Sequence, residues 1–234
     1  MAAAAWATYE RWGGEYGEHE GAKVIGLFTH SNPNINMANG RVETIADLEG
    51  KTIRVGGNVT GRIMSQLGAT PVQLPPTEAQ TAMARGVADG ITFPTESIHF
   101  FGITPVITSI TQIPGGLYTD TFWIAFNEDS WNALSDEHKA AVEKHSGMAI
   151  AVLAGWAWTN GDKLGEERLN EQGVEFITLP DEEVEIARER LADLETEWLA
   201  EAESRGFDGQ EIIDYARAMV RFYDAGKVVN VPNQ

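Results

Sequence analysis

The stretch Thr52-Ile-Arg-Val-Gly-Gly-Asn-Val-Thr-Gly-Arg-Ile-Met-Ser-Gln-Leu-Gly-Ala-Thr-Pro-Val-Gln-Leu74 carries two strand signals around one helix. Thr52 to Val55 is short and β-rich, Gly56-Gly57-Asn58 marks a turn, and Thr60 to Leu67 has helical spacing closed by Gly68. The cycle then repeats. Pro71 to Leu74 reads as a strand, Thr77-Glu-Ala-Gln80 as a capping box opening a helix that stops at Gly86, and Val87 to Phe93 as a third strand. Strand, helix, strand, helix and strand with such short links predict a parallel α/β layer, in which ligands sit beyond the carboxyl ends of the strands.

Working outward, Leu117 to Asn127 reads as a longer extended segment. It alternates Tyr118, Asp120, Phe122, Ile124 and Phe126 against Thr119, Thr121, Trp123 and Ala125. Ser135 is placed to cap a helix ending near Gly147, and a second helix is expected from about Ala149 to Gln172. Gly173 to Leu179 returns as a strand. Asp181 then opens a long acidic helix with Val184, Ala187, Leu191, Leu194 and Trp198 at helical spacing, and Ile212 to Tyr223 forms a further amphipathic helix.

Composition narrows the function classes. The 234 residues are 43% hydrophobic, enough for a substantial core. They hold 17 Lys and Arg against 35 Asp and Glu, a net charge of -18 that opposes nucleic acid and anionic lipid. No cysteine is present, so disulfides, thiolate metal sites and cysteine nucleophiles are excluded. No apolar run reaches the ~20 residues of a membrane span. The opening Met1 to Trp6 lacks the basic flank and long apolar core of a secretory leader.

Catalytic motifs are lacking. There is no Gly-x-Ser-x-Gly elbow and no His-Glu-x-x-His pair, while His138 and His145 lie among charged neighbours as on a solvated helix face. Gly56-Gly-Asn-Val-Thr-Gly61 sits between strand and helix but has Arg62 and Ile63 where a phosphate loop needs Lys and Ser or Thr, so a tight turn is the better reading. Arg54 is different. Strand alternation sets it on the face opposite Ile53 and Val55, where its planar fork suits a carboxylate. An ordinary salt bridge in so acidic a chain explains an arginine there equally well.

The ordered set Ile45-Ala-Asp-Leu-Glu-Gly-Lys-Thr-Ile-Arg-Val55, Leu67-Gly-Ala-Thr-Pro-Val72, Glu78 to Met83, Gly86-Val-Ala-Asp-Gly90, Tyr118 to Asn127 and Trp131-Asn-Ala-Leu-Ser135 resembles a known family. It is similar to the substrate-binding proteins of tripartite ATP-independent periplasmic (TRAP) transporters, the DctP family. The resemblance covers most of the chain. It implies an α/β, two-lobed periplasmic binding protein-like fold with parallel-rich sheets and a crossing strand, its first lobe incomplete. On that template residues 1–32 are a remnant of lobe I and 33–116 the α/β unit of lobe II. Residues 117–175 are the crossing strand, hinge helix and return to lobe I, and 176–234 are C-terminal helices packing on lobe II.

The resemblance also implies a function: capture of a small organic carboxylate in the periplasm and delivery to membrane permease subunits, with no cofactor and no metal. Arg54 becomes the family's carboxylate contact, Phe93 its ligand-facing position after the Asp-Gly of the third strand, and Thr121 the polar position on the crossing strand. Three departures modify this. Where many members place a second arginine, this chain reads Thr29-His-Ser-Asn-Pro-Asn-Ile-Asn36, aligning Asn34 with that position and His30 with a wall of the cleft. The frequent Gln-Glu-Asn-Pro run is Ile91-Thr-Phe-Pro94 here. Both changes favour a monocarboxylate with a neutral or aromatic tail over a dicarboxylate. On the family template the front of lobe I is expected to be missing, which predicts unpaired edges and uncovered apolar faces around Val24 to Phe28 and Leu117 to Asn127. An enzyme acting on a small organic acid in the same cleft, a hydrolase or isomerase with His30 as base, is the alternative.

Overall fold

The computed structural model describes residues 1–225, so the last nine residues of the 176–234 segment lie outside the described part. The chain forms two compact units. One comprises Met1–Ser31, Asp120–Trp158 and the described residues from Glu197 on; the other comprises Asn32–Thr119 and Thr159–Thr196. The C-terminal stretch is therefore divided at residue 196, where the sequence reading grouped 176–234 on a single lobe.

The second unit is built on a six-stranded sheet. Its strands are β2 (Asn34–Met37), β3 (Thr52–Val55), β4 (Thr70–Gln73), β5 (Gly90–Phe93), β6 (Ser109–Gln112) and β8 (Glu175–Thr178), in the order β4-β3-β5-β2-β6-β8. β3 runs parallel to β4 and β5, and β6 parallel to β8, whereas β2 is antiparallel to both β5 and β6. The strand-helix cycle read from the sequence is present: α2 (Asn58–Gln66) links β3 to β4, and α3 (Pro76–Ala84) links β4 to β5. The capping detail differs. Pro75 and Pro76 start α3, with proline at the first helical position and no side-chain cap from Thr77. The third strand is also shorter than Val87 to Phe93, because Val87 N–H bonds back to Ala82 O in the turn that closes α3.

Alternation along each strand divides the core in two. Ile35, Met37, Ile53 and Val55 pack with Ile63, Met64 and Leu67 of α2 and with Val184 and Ala187 of α8 (Asp181–Ser204). Ile91 and Ile110 pack on the other side with Ala79 and Met83 of α3, Ile98 of α4 (Thr95–Phe100) and Leu169 of α7 (Met148–Glu171). Each buried isoleucine contributes about 1.5–3 kcal/mol of transfer free energy. Both faces of the sheet are covered at its centre, which is why the parallel strands β3 and β5 expose no residue to solvent.

The family-like acidic residues act here as fasteners. Asp47 Oδ2 accepts from Glu43 N–H at 2.9 Å and Thr44 N–H at 2.8 Å, first of all to Glu43 in its effect of holding the carboxyl below its ordinary range. Asp89 Oδ2 accepts Thr52 N–H at 2.8 Å at the start of β3, and its carbonyl accepts Ala38 N–H at 2.8 Å. Gly90 follows because a Cβ there would lie 2.6 Å from Met37 Sδ and 2.8 Å from Asn36 O.

The first unit is organised around a two-stranded antiparallel ribbon of β1 (Ala22–Thr29) and β7 (Thr121–Asn127), bulged between Val24 and Gly26. The two segments expected to have unpaired edges pair with each other along one side, and among the described residues each keeps its outer edge unpaired, as expected. On β7 apolar residues remain partly open: Phe122, Trp123 and Ile124 are 38%, 49% and 43% exposed, whereas Leu27 on β1 is buried. α1 (Ala2–Tyr16), which the sequence reading did not identify as a helix, packs on α9 (Gly209–Asp224) through Trp12 and Tyr215, whose rings meet edge to face at 5.0 Å. α5 (Glu128–Asn132) and α6 (Asp136–Lys144) follow β7, with Ser135 Oγ accepting His138 N–H at 3.3 Å as its position before the helix predicts.

Candidate functional site

β3 presents Arg54 on the face away from Ile53 and Val55, as alternation requires, and buries it to 2% exposure. Two of its five N–H groups, on Nε and Nη2, donate to the Leu74 carbonyl just after β4, at 2.9 and 2.6 Å. The Cζ atom lies 4.7 Å from the centroid of the Phe93 ring. A carbonyl and an aromatic face both stabilise a cation without neutralising it. One edge of the guanidinium is thereby fixed in orientation by backbone from the neighbouring strand.

Phe93 ends β5 and stacks on Phe101 at 5.9 Å. Asn34 stands directly across from it, since β2 and β5 pair Asn34 with Phe93. Asn36, two residues further along the same face, is fully buried, and its Nδ2 donates to the carbonyls of Asn34, Ile91 and Phe93 at 3.1, 3.1 and 2.9 Å. Sequence reasoning missed Asn36. The signal was the Asn-Ile-Asn alternation at 34–36, which puts both amides on the arginine side of the sheet. Arg54, Phe93 and Asn34 therefore share one neighbourhood, with Asn36 holding the Phe93 end of β5 in place.

His30 and Thr121 belong to the first unit. Thr121 pairs with Thr29 at the start of the ribbon and is exposed. His30 is buried at 5% exposure, with Nδ1 2.6 Å from Ser31 O and Nε2 accepting Asp120 N–H at 3.1 Å. Its ring meets Phe122 at 5.8 Å and Trp158 at 5.9 Å, and Phe122 stacks on Trp158 at 6.0 Å. Both ring nitrogens thus meet backbone groups, and Nε2 also lies 3.3 Å from Asp120 Oδ2.

A separate groove of about 490 Å³ lies between α2 and β4, bordered by Asn58, Arg62, Gln66, Pro71 and Gln73. It opens on the Val55 side of the sheet, away from Arg54. Among the described residues, no group of three or more His, Asp or Glu side chains gathers as a metal site, and no helix is long and apolar enough to cross a membrane.

Residues 7–201 match the family described as bacterial extracellular solute-binding protein, family 7 (DctP). A TRAP periplasmic solute-binding protein of Bordetella bronchiseptica, solved with bound (R)- and (S)-mandelate, is 33% identical with a TM-score of 0.89, covering 94% of this chain and 70% of that one. A marine-metagenome TRAP solute-binding protein specific for aromatic acid ligands, in complex with metahydroxyphenylacetate, is 28% identical with a TM-score of 0.86, covering 95% and 71%. A curated relative from Comamonas testosteroni, the outer membrane transporter protein TsaT, is 27% identical over 220 residues. That match takes in 92% of this chain, which spans 64% of the relative's length.

Proposed function

The chain belongs to bacterial extracellular solute-binding protein family 7, and from that premise we propose that it captures an organic monocarboxylate with an aromatic body. It would do so in the periplasm and hand the solute to the membrane permease subunits of a TRAP transporter. Arg54 carries this reading. Its Nε–Nη2 edge rests on the Leu74 carbonyl and its flat face on Phe93. A guanidinium held in this way meets a carboxylate with little further loss of side-chain freedom.

Burial raises the value of the pair once formed. At 2% exposure Arg54 is covered in this structure, so capture needs the surroundings of the guanidinium to open. The carboxylate then binds out of water, where charge-assisted hydrogen bonds are stronger. The net charge of -18 disfavours an anion at long range, but salt screens that field over about 8 Å and leaves the local contact to decide.

The aromatic body is supported by two observations. Phe93 offers a ring face beside Arg54 where an amide would suit a more polar solute. Two similar proteins hold mandelate and metahydroxyphenylacetate. Nothing beside His30 favours the enzyme alternative: its Nδ1 lies against Ser31 O and its Nε2 against Asp120 N–H.

Calorimetry with mandelate, benzoate and succinate tests the proposal. The aromatic monocarboxylates are expected to bind and be recovered unaltered, with succinate much weaker. Arg54→Ala removes charge-assisted bonds worth about 1.5–3 kcal/mol each, so affinity should fall by at least about tenfold. Unchanged binding by Arg54→Ala would remove this residue from the site, and conversion of the recovered acid would establish an enzyme instead.

A further inference from the structure

The chain passes between the two units after Ser31, Thr119, Trp158 and Thr196. Three of those four passages meet one side chain within the first unit. His30 stands one residue before the first passage boundary, and its Nδ1 is 2.6 Å from the carbonyl of Ser31. Its Nε2 is 3.1 Å from the backbone nitrogen of Asp120, the first residue after the second passage. Its ring packs at 5.9 Å on Trp158, the last residue before the third.

These partners fix the state of the ring. A backbone amide only donates, so Nε2 must present a lone pair to Asp120 N–H. A carbonyl only accepts, so Nδ1 must carry the proton that reaches Ser31 O. Neutral imidazole protonated on Nδ1 satisfies both bonds. Asp120 Oδ2 also lies 3.3 Å from Nε2. Protonating Nε2 would end the bond from Asp120 N–H and replace it with an attraction to the Asp120 carboxylate, whose side chain is half-exposed. The rings of Phe122 and Trp158, which also lie against it, bring no charge.

We infer that His30 is a positioning residue for solute binding: in its neutral, Nδ1-protonated form it clasps the Ser31, Asp120 and Trp158 passages and does not touch the solute. The affinity part of this inference rests on the solute-binding reading given above; the tautomer part does not. His30 thereby sets the backbone that leads into Thr121, and a substitution that breaks the clasp acts on binding from a distance.

Nitrogen-15 NMR of the full chain, with His30→Gln as the assignment control, reads the tautomer without any solute. The expected result is a bare Nε2 and a protonated Nδ1 at neutral pH; the opposite tautomer overturns the clasp. Calorimetry with mandelate supplies the second readout. His30→Phe keeps a ring but loses both nitrogens, and the loss of both hydrogen bonds and the order they impose should weaken binding about tenfold. His30→Gln can still accept Asp120 N–H and should stay within about threefold of the parent, since its replacement bond is worth a similar ~1 kcal/mol. Parent-like affinity in His30→Phe, or equal losses in both variants, overturns the positioning role. If the parent protein binds none of mandelate, benzoate and succinate, the solute-binding reading fails, and the NMR result alone decides the clasp.

Discussion

The sheet of the second unit and the ribbon of the first use similar residues with opposite outcomes. Ile35, Ile53, Ile91 and Ile110 are completely removed from solvent between two helical layers. Phe122, Trp123 and Ile124 are as apolar but stay partly exposed on a strand with one neighbour. An alternating strand pattern specifies which residues share a face; it does not specify what covers that face. The sheet is sandwiched by helices its own chain segments supply. The ribbon draws support from α1 and from Ile150, which sits so close to Gly26 that a Cβ there would fall 2.6 Å from it. Two strands alone are marginal in water, so this local packing matters to the ribbon more than any single strand residue does.

Substitution in the two regions should separate them most clearly. Ile53→Ala empties a closed site and is expected to cost about 2–5 kcal/mol in denaturant unfolding, whereas Ile124→Ala should cost under about 1 kcal/mol. Equal costs would break the comparison, because they would mean that Ile124 is covered in solution, and sedimentation would then be the check for self-association.

A smaller effect is expected where α7 holds α4 in the second unit. Asp162 Oδ1 accepts Glu96 N–H at 2.9 Å and Thr95 Oγ1–H at 3.0 Å, capping a helix from across the fold. Gly165 lets the two helices come this near, since a Cβ there would lie 2.3 Å from Thr95 O. Asp162→Ala should cost about 1–2 kcal/mol, as losing an N-cap does. Thermal melts of this variant beside Ser135→Ala, whose cap sits on the exposed α6, would sharpen the contrast between helix ends fastened inside a core and those at the surface.

The smallest expected change comes from Glu166, one turn on from Asp162. Burial first and the Asp162 charge second raise its carboxyl above the ordinary range. The folded protein therefore holds this proton more tightly than the unfolded chain. The charge costs no stability below the unfolded value, and the cost appears as pH rises through the raised folded one. Glu166→Gln should accordingly show a slightly higher Tm at neutral pH and none of that gain in acid. A gain that persists in acid would locate the effect in packing, not in charge.

Much of the second unit was readable because its signals are local. Gly68 and Gly86 end helices with positive φ, and period-two alternation separates Arg54 from Ile53 and Val55, so the β3-α2-β4-α3-β5 run is legible residue by residue. The insertion of β2 between β5 and β6 was not legible, because antiparallel pairing of Asn36 with Ile91 and Ile110 joins distant segments without a local pattern. The same applies to the division of the C-terminal helices at residue 196. For the site, the resemblance supplied Arg54 and Phe93, and the structure brings their side chains together. It sets His30 and Thr121 in the other unit, and it adds Asn36.

By itself, the sequence determined that Arg54 lies on a strand and faces away from the apolar side of β3, since side-chain direction along a strand follows from backbone geometry alone. Only the tertiary structure decided what the arginine meets there. Leu74 O and the Phe93 ring arrive from the two strands that flank β3, and no periodicity within Thr52 to Val55 reports on its neighbours. His30 follows the same rule. Its residue type was visible from the start, but the backbone amide that its Nε2 meets lies 90 positions away in the chain, and such a partner exists only once the fold has formed.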